Sequence, residues 1–511
     1  TWGAVGSFGS ARLRVSDTEK LDWNGNDAYV VTGLSASRAD DDFTYFDPRT
    51  GHDVARVNAN HAAVNGLVTV VLPVDWTSSS RGSLKITTVA QARKQGIPGS
   101  VDFPTPDARS ESTRLLEALE LGGTVAGGAW HLRGWGRRES VVTRSSELDL
   151  QDPLHTASSV VAAGTGAGWR GRVAERFALA TTVDASVERF APGQTFGGTT
   201  RDTGATRALA DAGADLDVRV TRAWAASASG RVDLWHDASA DPQAVAGTEA
   251  RPTAHVGSEI AAGPVTFAAH GGAVARAPSF IERYGNHGLV VGNPGLNTET
   301  AWVADAGART SWKHDAFRGR FEVAGFANWA DDLIAFVPRG AYRALIATNI
   351  GKARILGVEA EAFLFLGGLG LRASYTYLAT ADETACASDE SGSCTRPPLP
   401  SRPAHDLFTD LSYRAGPLLV RYGVDVVSGL FVGRLGDVPV PARALQSAGA
   451  RFDVPHAPGL RLALDVRNLF DLRTGDYDGV SGPITKPIGD SYDYPIPGRS
   501  LLFSVRYVSA R

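Results

Sequence analysis

The sequence predicts an all-β protein: one large, closed, antiparallel transmembrane β-barrel of about 22 strands, with residues 1–511 as a single domain. Three observations predict it. Apolar and polar residues alternate with period two through long segments, giving each strand one apolar and one strongly polar face. Aromatic residues on one face are spaced as a bilayer requires. Tight turns and long loops alternate along the chain, as short periplasmic turns and long extracellular loops do in bacterial barrels.

Taken in chain order, RLLEALEL (114–121) is the best helical candidate, and helical periodicity is otherwise hard to find. ARAPSFIERYGNHGLVVGNPGLNTET (275–300) is rich in turn-forming Gly, Asn and Pro yet carries Phe280, Ile281, Tyr284 and Leu289. It is read as a long loop with an apolar task. Phe317, Phe321, Val323, Ala327 and Trp329 then alternate with Arg318, Arg320, Glu322 and Asn328. Phe317 and Trp329 lie about 40 Å apart along such a strand at roughly 3.3 Å per residue. A tilt near 45° projects this to roughly 28 Å, close to the ~25 Å apolar band of a membrane barrel. Soluble sandwich strands are shorter.

Leu371, Ala373, Tyr375 and Tyr377 alternate with Arg372, Ser374 and Thr376; Leu460, Leu462, Leu464 and Val466 alternate with Arg461, Asp465 and Arg467. Leu501, Phe503, Val505 and Tyr507 continue the pattern with Ser504 and Arg506. KHDA (313–316), LGGLG (366–370), RAGP (414–417) and PHAPG (455–459) are the tight turns. The segments near 340, around the cysteines, at 428–444 and at 475–498 are the long loops. About 21 strands can be counted, and a closed antiparallel barrel with both termini on the periplasmic side needs an even number. A further strand is therefore expected in the N-terminal half.

Composition narrows the function classes. No stretch of 18 apolar residues exists, so no transmembrane helix is available. The mean hydropathy of -0.11 suits a barrel, whose lipid face uses only alternate residues. A net charge of -4 argues against a nucleic-acid partner. The chain has no Met, even at its start, and reads as processed, trimmed or fragmentary. Cys386 and Cys394 bracket a short polar loop, as a disulfide in an oxidising compartment would; two reduced thiols are the other reading. HExxH, Walker, GxSxG and CxxC motifs are all missing, so neither an enzyme nor a cofactor is expected.

Several segments resemble the TonB-dependent outer-membrane receptors. The stretch Ala277-Pro278-Ser279-Phe280, Tyr284-Gly285, GNPGL (292–296), Glu299 and Asp305-Ala306-Gly307 is similar to the family's barrel motif. NIGKARILGVEAEA (349–362), VRNLFD (466–471) and YPIPGRSLLFSVRY (494–507) resemble its later elements. SFGSARLRV (7–15) and DDFTYF (41–46) resemble its first strands, and GIPGSVDFPTPDAR (96–109) is similar to a segment of cobalamin- and siderophore-type members. The resemblance implies uptake of a scarce nutrient, such as a ferric siderophore or cobalamin, driven by the TonB system acting through a plug domain. Neither plug motif nor TonB box is found in this chain, so the plug is expected to have been cut away or to be a separate polypeptide. The alternatives are a plugless secretion conduit or structural anchor with envelope protein partners, and a porin-like channel. Expected partners are outer-membrane lipid, the plug, TonB through the plug, and a small-molecule ligand.

Candidate site residues follow from this frame. Phe280, Tyr284, Asn286, His287 and Leu289 are candidate ligand contacts of an external loop; the alternative is that Phe280 and Tyr284 only pack the loop onto the rim. Arg318, Arg320, Glu322, Arg354, Glu359 and Glu361 are expected to face the lumen, gripping a plug or simply hydrated. Asp40, Asp41 and Asp42 form a carboxylate cluster of the kind that holds calcium, or a solvated loop.

Overall fold

Hydrogen bonds pass from each long strand to the next around a complete circle. In this computed structural model the 22 strands are antiparallel throughout. The structure describes residues 1–77, 80–125, 127–146, 154–196, 199–202, 204–240, 247–285, 290–339, 344–388, 394–479, 482–491 and 493–509. The first eleven strands are β1 Trp2–Gly6, β2 Ser10–Trp23, β3 Asn26–Ala39, β4 His61–Thr77, β5 Ser80–Gly96, β6 Arg109–Val125, β7 Gly128–Ser145, β8 Leu154–Ala174, β9 Phe177–Phe196, β10 Ala205–Arg219 and β11 Trp224–Ser239. The second eleven are β12 Gly247–Ala262, β13 Val265–Arg276, β14 Glu299–His314, β15 Phe317–Arg339, β16 Ala344–Leu366, β17 Leu369–Asp382, β18 His405–Ala415, β19 Leu418–Val427, β20 Arg443–Asp453, β21 Leu460–Arg467 and β22 Ser500–Tyr507. Short β1 closes the circle: Trp2 pairs with Arg14 of β2 on one side and Arg506 of β22 on the other.

The pairing register sorts every strand into two faces. On β15, Phe317, Phe321, Val323, Ala327 and Trp329 stand opposite Leu366, Ala362, Ala360, Leu356 and Arg354 of β16. Arg318, Arg320, Glu322 and Ala324 stand opposite Phe365, Phe363, Glu361 and Glu359. The first face points out of the barrel. Its large apolar side chains are left uncovered by protein, with Trp302 67% and Val256 64% exposed, as only a face solvated by lipid accepts over so wide an area.

Two expectations need correction. RLLEALEL is not helical: Arg114–Leu121 lies inside β6, paired with β5 and β7 along its length. Strand neighbours on both sides satisfy its backbone, and that tertiary context overrides the helical preference of Leu, Glu and Ala. Arg354 does not share the lumen face with Glu359 and Glu361, because it stands opposite Trp329 on the outward face. Its position near the long-loop end lets its guanidinium reach Glu383, 3.6 Å away.

The ends of the barrel differ. The tight turns use residues that tolerate positive φ, as at Asn24-Gly25 (φ 55° and 78°), joining β2 to β3. At the opposite end the connections are long, and most of the buried apolar clusters lie there rather than at mid-barrel. One gathers Phe43, Tyr45 and Val101, and another Phe190, Ala205 and Phe280.

Candidate functional site

The polar faces turned into the barrel are laced with ion pairs that reach over an intervening strand to the next but one. Arg133 meets Asp184 at 2.5 Å, Arg137 meets Glu188 at 2.7 Å, Arg309 meets Glu259 at 2.9 Å and Arg421 meets Asp465 at 2.5 Å. Arg320 reaches Glu322 at 2.6 Å, Glu361 lies 3.7 Å from Arg372, and the Arg318 guanidinium sits 4.8 Å from the Phe365 ring centroid. Glu359 occupies the same face, opposite Ala324. A wall of this kind is wetted, and with 22 strands the space it encloses is roughly 40 Å across by strand spacing and tilt.

At the long-loop mouth, the segment between β13 and β14 folds inward instead of standing clear. Ser279 and Glu282 form a reciprocal capping box that starts a one-turn helix, α1, Phe280–Tyr284. Phe280 is buried. Its ring stacks on Phe190 of β9 at 5.6 Å between centroids and 10° between planes, and Tyr284 lies 5.8 Å from the same ring. Phe190 is on the inner face of β9, four strands away from β13, so the helix lies across the inside of the rim.

Charges fix this position. Fully buried Arg283 donates to Asp237 of β11 at 2.6 Å and to the Leu296 carbonyl at 3.2 Å. Arg207 of β10 also grips Asp237, at 2.6 and 2.7 Å, and places its guanidinium 5.3 Å from the Phe280 ring. Arg276 bridges Glu282 and Glu299 at 2.9 and 3.0 Å. Burial works against ionisation of Glu282, but hydrogen bonds from Arg276 and Ser279 outweigh it and hold the carboxyl below its ordinary range. On the far side, residues 290–291 pair in parallel with Leu345 and Ile346 of β16, and the Asn293 side chain donates to the Ala347 carbonyl at 3.0 Å. The segment is thus tied at both ends and crosses part of the opening. Ile281, 49% exposed, is the large apolar side chain that α1 leaves uncovered.

Phe280 and half-buried Tyr284 therefore pack against the rim, and Phe280 is not free to meet a ligand. Asn286, His287 and Leu289 lie outside the described residues. The three aspartates do not converge: Asp41 turns to His61, 3.0 Å away, and the described residues contain no group of three or more metal-ligating side chains. Cys386 and Cys394 are joined by a disulfide with Cα atoms 5.2 Å apart, in the loop between β17 and β18.

A second knot ties three other loops. The Val101 amide donates to the Asp493 carbonyl at 2.9 Å, Asn58 donates to the carbonyls of Thr105 and Ala108 at 2.7 Å, and Arg473 joins Thr44 and Asp53. The Asp493 side chain is buried beside Lys486 at 3.3 Å. Burial, and then the hydrogen-bonded Asp102 carboxyl alongside, push Asp493 up to about 7.

Phe190, Arg207, Asp237 and Arg283 were not legible as a unit, because strand pairing alone brings them together. The capping box was: Ser279 followed three residues later by Glu282 marks a helix start within the loop.

Residues 2–469 match the family described as "TonB dependent receptor-like, beta-barrel". Among solved structures the chain is similar to the copper transporter OprC, with a TM-score of 0.75 and 17% identity over 99% of this chain and 79% of that one. It is similar to the siderophore receptor PiuA from Acinetobacter baumannii (TM-score 0.71, 13% identity, 99% and 80% covered). A third likeness is to the ferric yersiniabactin uptake receptor FyuA from Yersinia pestis (0.71, 13%, 99% and 79%). No curated protein sequence matches the chain.

Proposed function

The chain belongs to the TonB-dependent receptor β-barrel family, a family of outer-membrane transporters, and from that premise we propose that it is the wall and ligand mouth of an uptake system for a scarce nutrient. The ligand class is a metal held in an organic chelate, such as a ferric siderophore, or a compact cofactor such as cobalamin. The termini and tight turns are periplasmic, and the long loops face the exterior. A plug, carried by sequence ahead of Thr1 or by a separate polypeptide, closes the lumen, and TonB acts through it.

The observation that carries this reading is the inward fold of residues 277–285 and 290–298, tied to β9, β10, β11 and β16 and leaving Ile281 open at the mouth. A partly apolar shelf over a wide polar lumen suits capture of a bulky, partly apolar solute before release inward. The ligand chemistry also has a limit. These 511 residues include no Met, and the two Cys are bonded to each other, so the barrel offers no free thiolate or thioether. Such soft donors select Cu(I), and a chelated metal is the better fit.

The test is uptake in the source bacterium. Deleting the gene is expected to abolish accumulation of one labelled ferric chelate or of labelled cobalamin, and restoring it to bring accumulation back, in a TonB-dependent manner. Unchanged uptake of every such ligand, together with a steady open conductance in planar bilayers, would overturn the reading in favour of a passive channel.

A further inference from the structure

One carboxylate on the lipid-facing wall lies too deep to reach water. Glu117 of β6 shares the outward face with Leu115 and Leu119, which are 46% and 48% exposed. It stands about 8 residues above the tight-turn end of its strand, or ~19 Å at 3.3 Å per residue and a tilt near 45°. By the same measure Trp329 marks the upper edge of the apolar band at roughly 28 Å. A glutamate is too short to lift its carboxylate over that interval. Its Oε2 accepts a hydrogen bond from Thr88 of β5 at 2.7 Å, and among the described residues Glu117 makes no ion pair. Ionisable side chains at such a depth are costly, and they mark a place where something meets them.

The groups around Glu117 define that meeting. Glu117 stands opposite Gly136 of β7 and Leu115 stands opposite Arg138, so Arg138 is the diagonal neighbour on the next strand. Thr88 holds the Glu117 carboxylate on the β5 side, away from Arg138. Arg138 is exposed and makes no ion pair among the described residues. The other charges on the outward face of β5 to β9 all lie higher. Lys94, Arg109, Glu111 and Arg144 sit at the loop ends of their strands, and Glu111 is engaged by Lys94 at 3.4 Å and Arg144 at 3.8 Å. Arg189 of β9 shares Arg138's rung two strands on, and it stands as far above Phe177 as Trp329 stands above Phe317. Beneath Arg138 the wall is low: a Cβ added at Gly134 or Gly136 would meet no side chain within 4 Å.

We propose that the outward wall of β5–β8 is a docking surface for a second copy of this chain. A two-fold axis along the membrane normal, passing between Glu117 and Arg138, sets Glu117 of each copy against Arg138 of the other. Both carboxylates and both guanidiniums then gain a partner, and Thr88 keeps its bond to Glu117. Leu115, Leu119 and Leu132 close around the pairs, while Gly134 and Gly136 let the two walls approach closely. One acid and one base at a fixed offset form a self-complementary pattern, as a symmetric interface requires. The contact uses no residue of the lumen or the long loops, so it holds whatever solute the barrel takes up.

The experiment is disulfide cross-linking of the whole receptor in its own outer membrane. Cys386 and Cys394 are bonded to each other, so Gly136→Cys, beside the axis, supplies the reactive thiol. Mild oxidation is expected to link two copies and double the mass of the chain, while Val256→Cys, exposed on the far wall in β12, stays single. Added to G136C, E117R and R138E should each lose the link. Cells making both variants together should regain it, because the mixed pair sets acid against base at both contacts. E117Q/R138Q, the milder change, should weaken association in detergent about tenfold by mass photometry. Each variant is first checked for the heat-modifiable gel migration of a folded barrel, and E117Q/R138Q decides if a charge reversal fails that check. No link from G136C, an equal link from V256C, or a link to a protein of different mass would each overturn the proposal. So would unchanged association of E117Q/R138Q, or a mixed pair that stays unlinked, as pairing of Glu117 with Arg138 inside one barrel predicts.

Discussion

Phe280→Ala should detach the inward-folded segment while leaving the barrel intact. Phe280 is 8% exposed, stacked at 5.6 Å on Phe190, 6.0 Å from Tyr284 and under the Arg207 guanidinium. Truncating a buried Phe costs about 3–5 kcal/mol in a core, and a rim site with one edge toward water falls at the lower end, about 3 kcal/mol. All of that acts on the segment's own opening equilibrium, because no barrel hydrogen bond runs through the ring, and it multiplies the open population roughly 150-fold. The assay is amide hydrogen exchange in detergent. The amides to follow are those of Arg283, Gly285 and Asn293, which donate to Ser279, Ile281 and Glu282 within the segment. They should lose about two orders of magnitude of protection, while amides in the middle of β15 keep theirs. Unchanged protection at those three positions would refute the claim that ring packing holds the segment.

Other consequences are as direct. Gly292→Ala should open the same segment at least as far, because a Cβ there would lie inside contact distance of the Arg283 and Tyr284 main chain, which cannot give way; the same exchange experiment reads it. Asp237→Ala should destabilise the mouth by about 3–5 kcal/mol, since it strands Arg207 and Arg283 without their carboxylate. Arg283→Ala should cost less, because Asp237 keeps Arg207, and chemical denaturation of the segment ranks the two. The Val101–Asp493 knot should tighten in acid. The native carboxyl of Asp493 titrates near 7 against an ordinary value of 3.8, so the stabilisation is complete below about pH 4 and is lost as pH rises through 7. Protection of the Val101 amide should therefore fall between pH 5 and 8, and Asp493→Asn should abolish that dependence. Finally, Glu361→Cys should react with a polar maleimide from the lumen and Leu356→Cys should not, because their side chains leave opposite faces of β16.

The barrel was legible because its physics repeats at every second residue, and an error at one strand does not spread to the next. Parity also held a warning. Arg354 and Glu359 are an odd number of residues apart, so an unbroken strand puts them on opposite faces, and both could not line the lumen. RLLEALEL misled because its composition favours a helix, and only its neighbours in the sheet decide otherwise. The mouth was legible in part. The loop's apolar content announced a packing task, but its partners Phe190 and Asp237 lie far back in the chain, and no local pattern points from Arg283 to Asp237, 46 residues earlier.

The seam has a consequence in time. β1 is five residues long, and through it the first and last strands meet. Trp2 can find Arg14 almost as soon as both exist, but Arg506 only after nearly the entire chain has been made. Closure is therefore the last and most distant pairing, the kind of contact that slows folding most. Until it forms, β1 and β22 each present a bare edge able to recruit another chain, so the assembling barrel needs those two edges guarded above all others. Once closed, the same short junction, fastened by the fewest rungs, is where the wall would part first if pulled sideways.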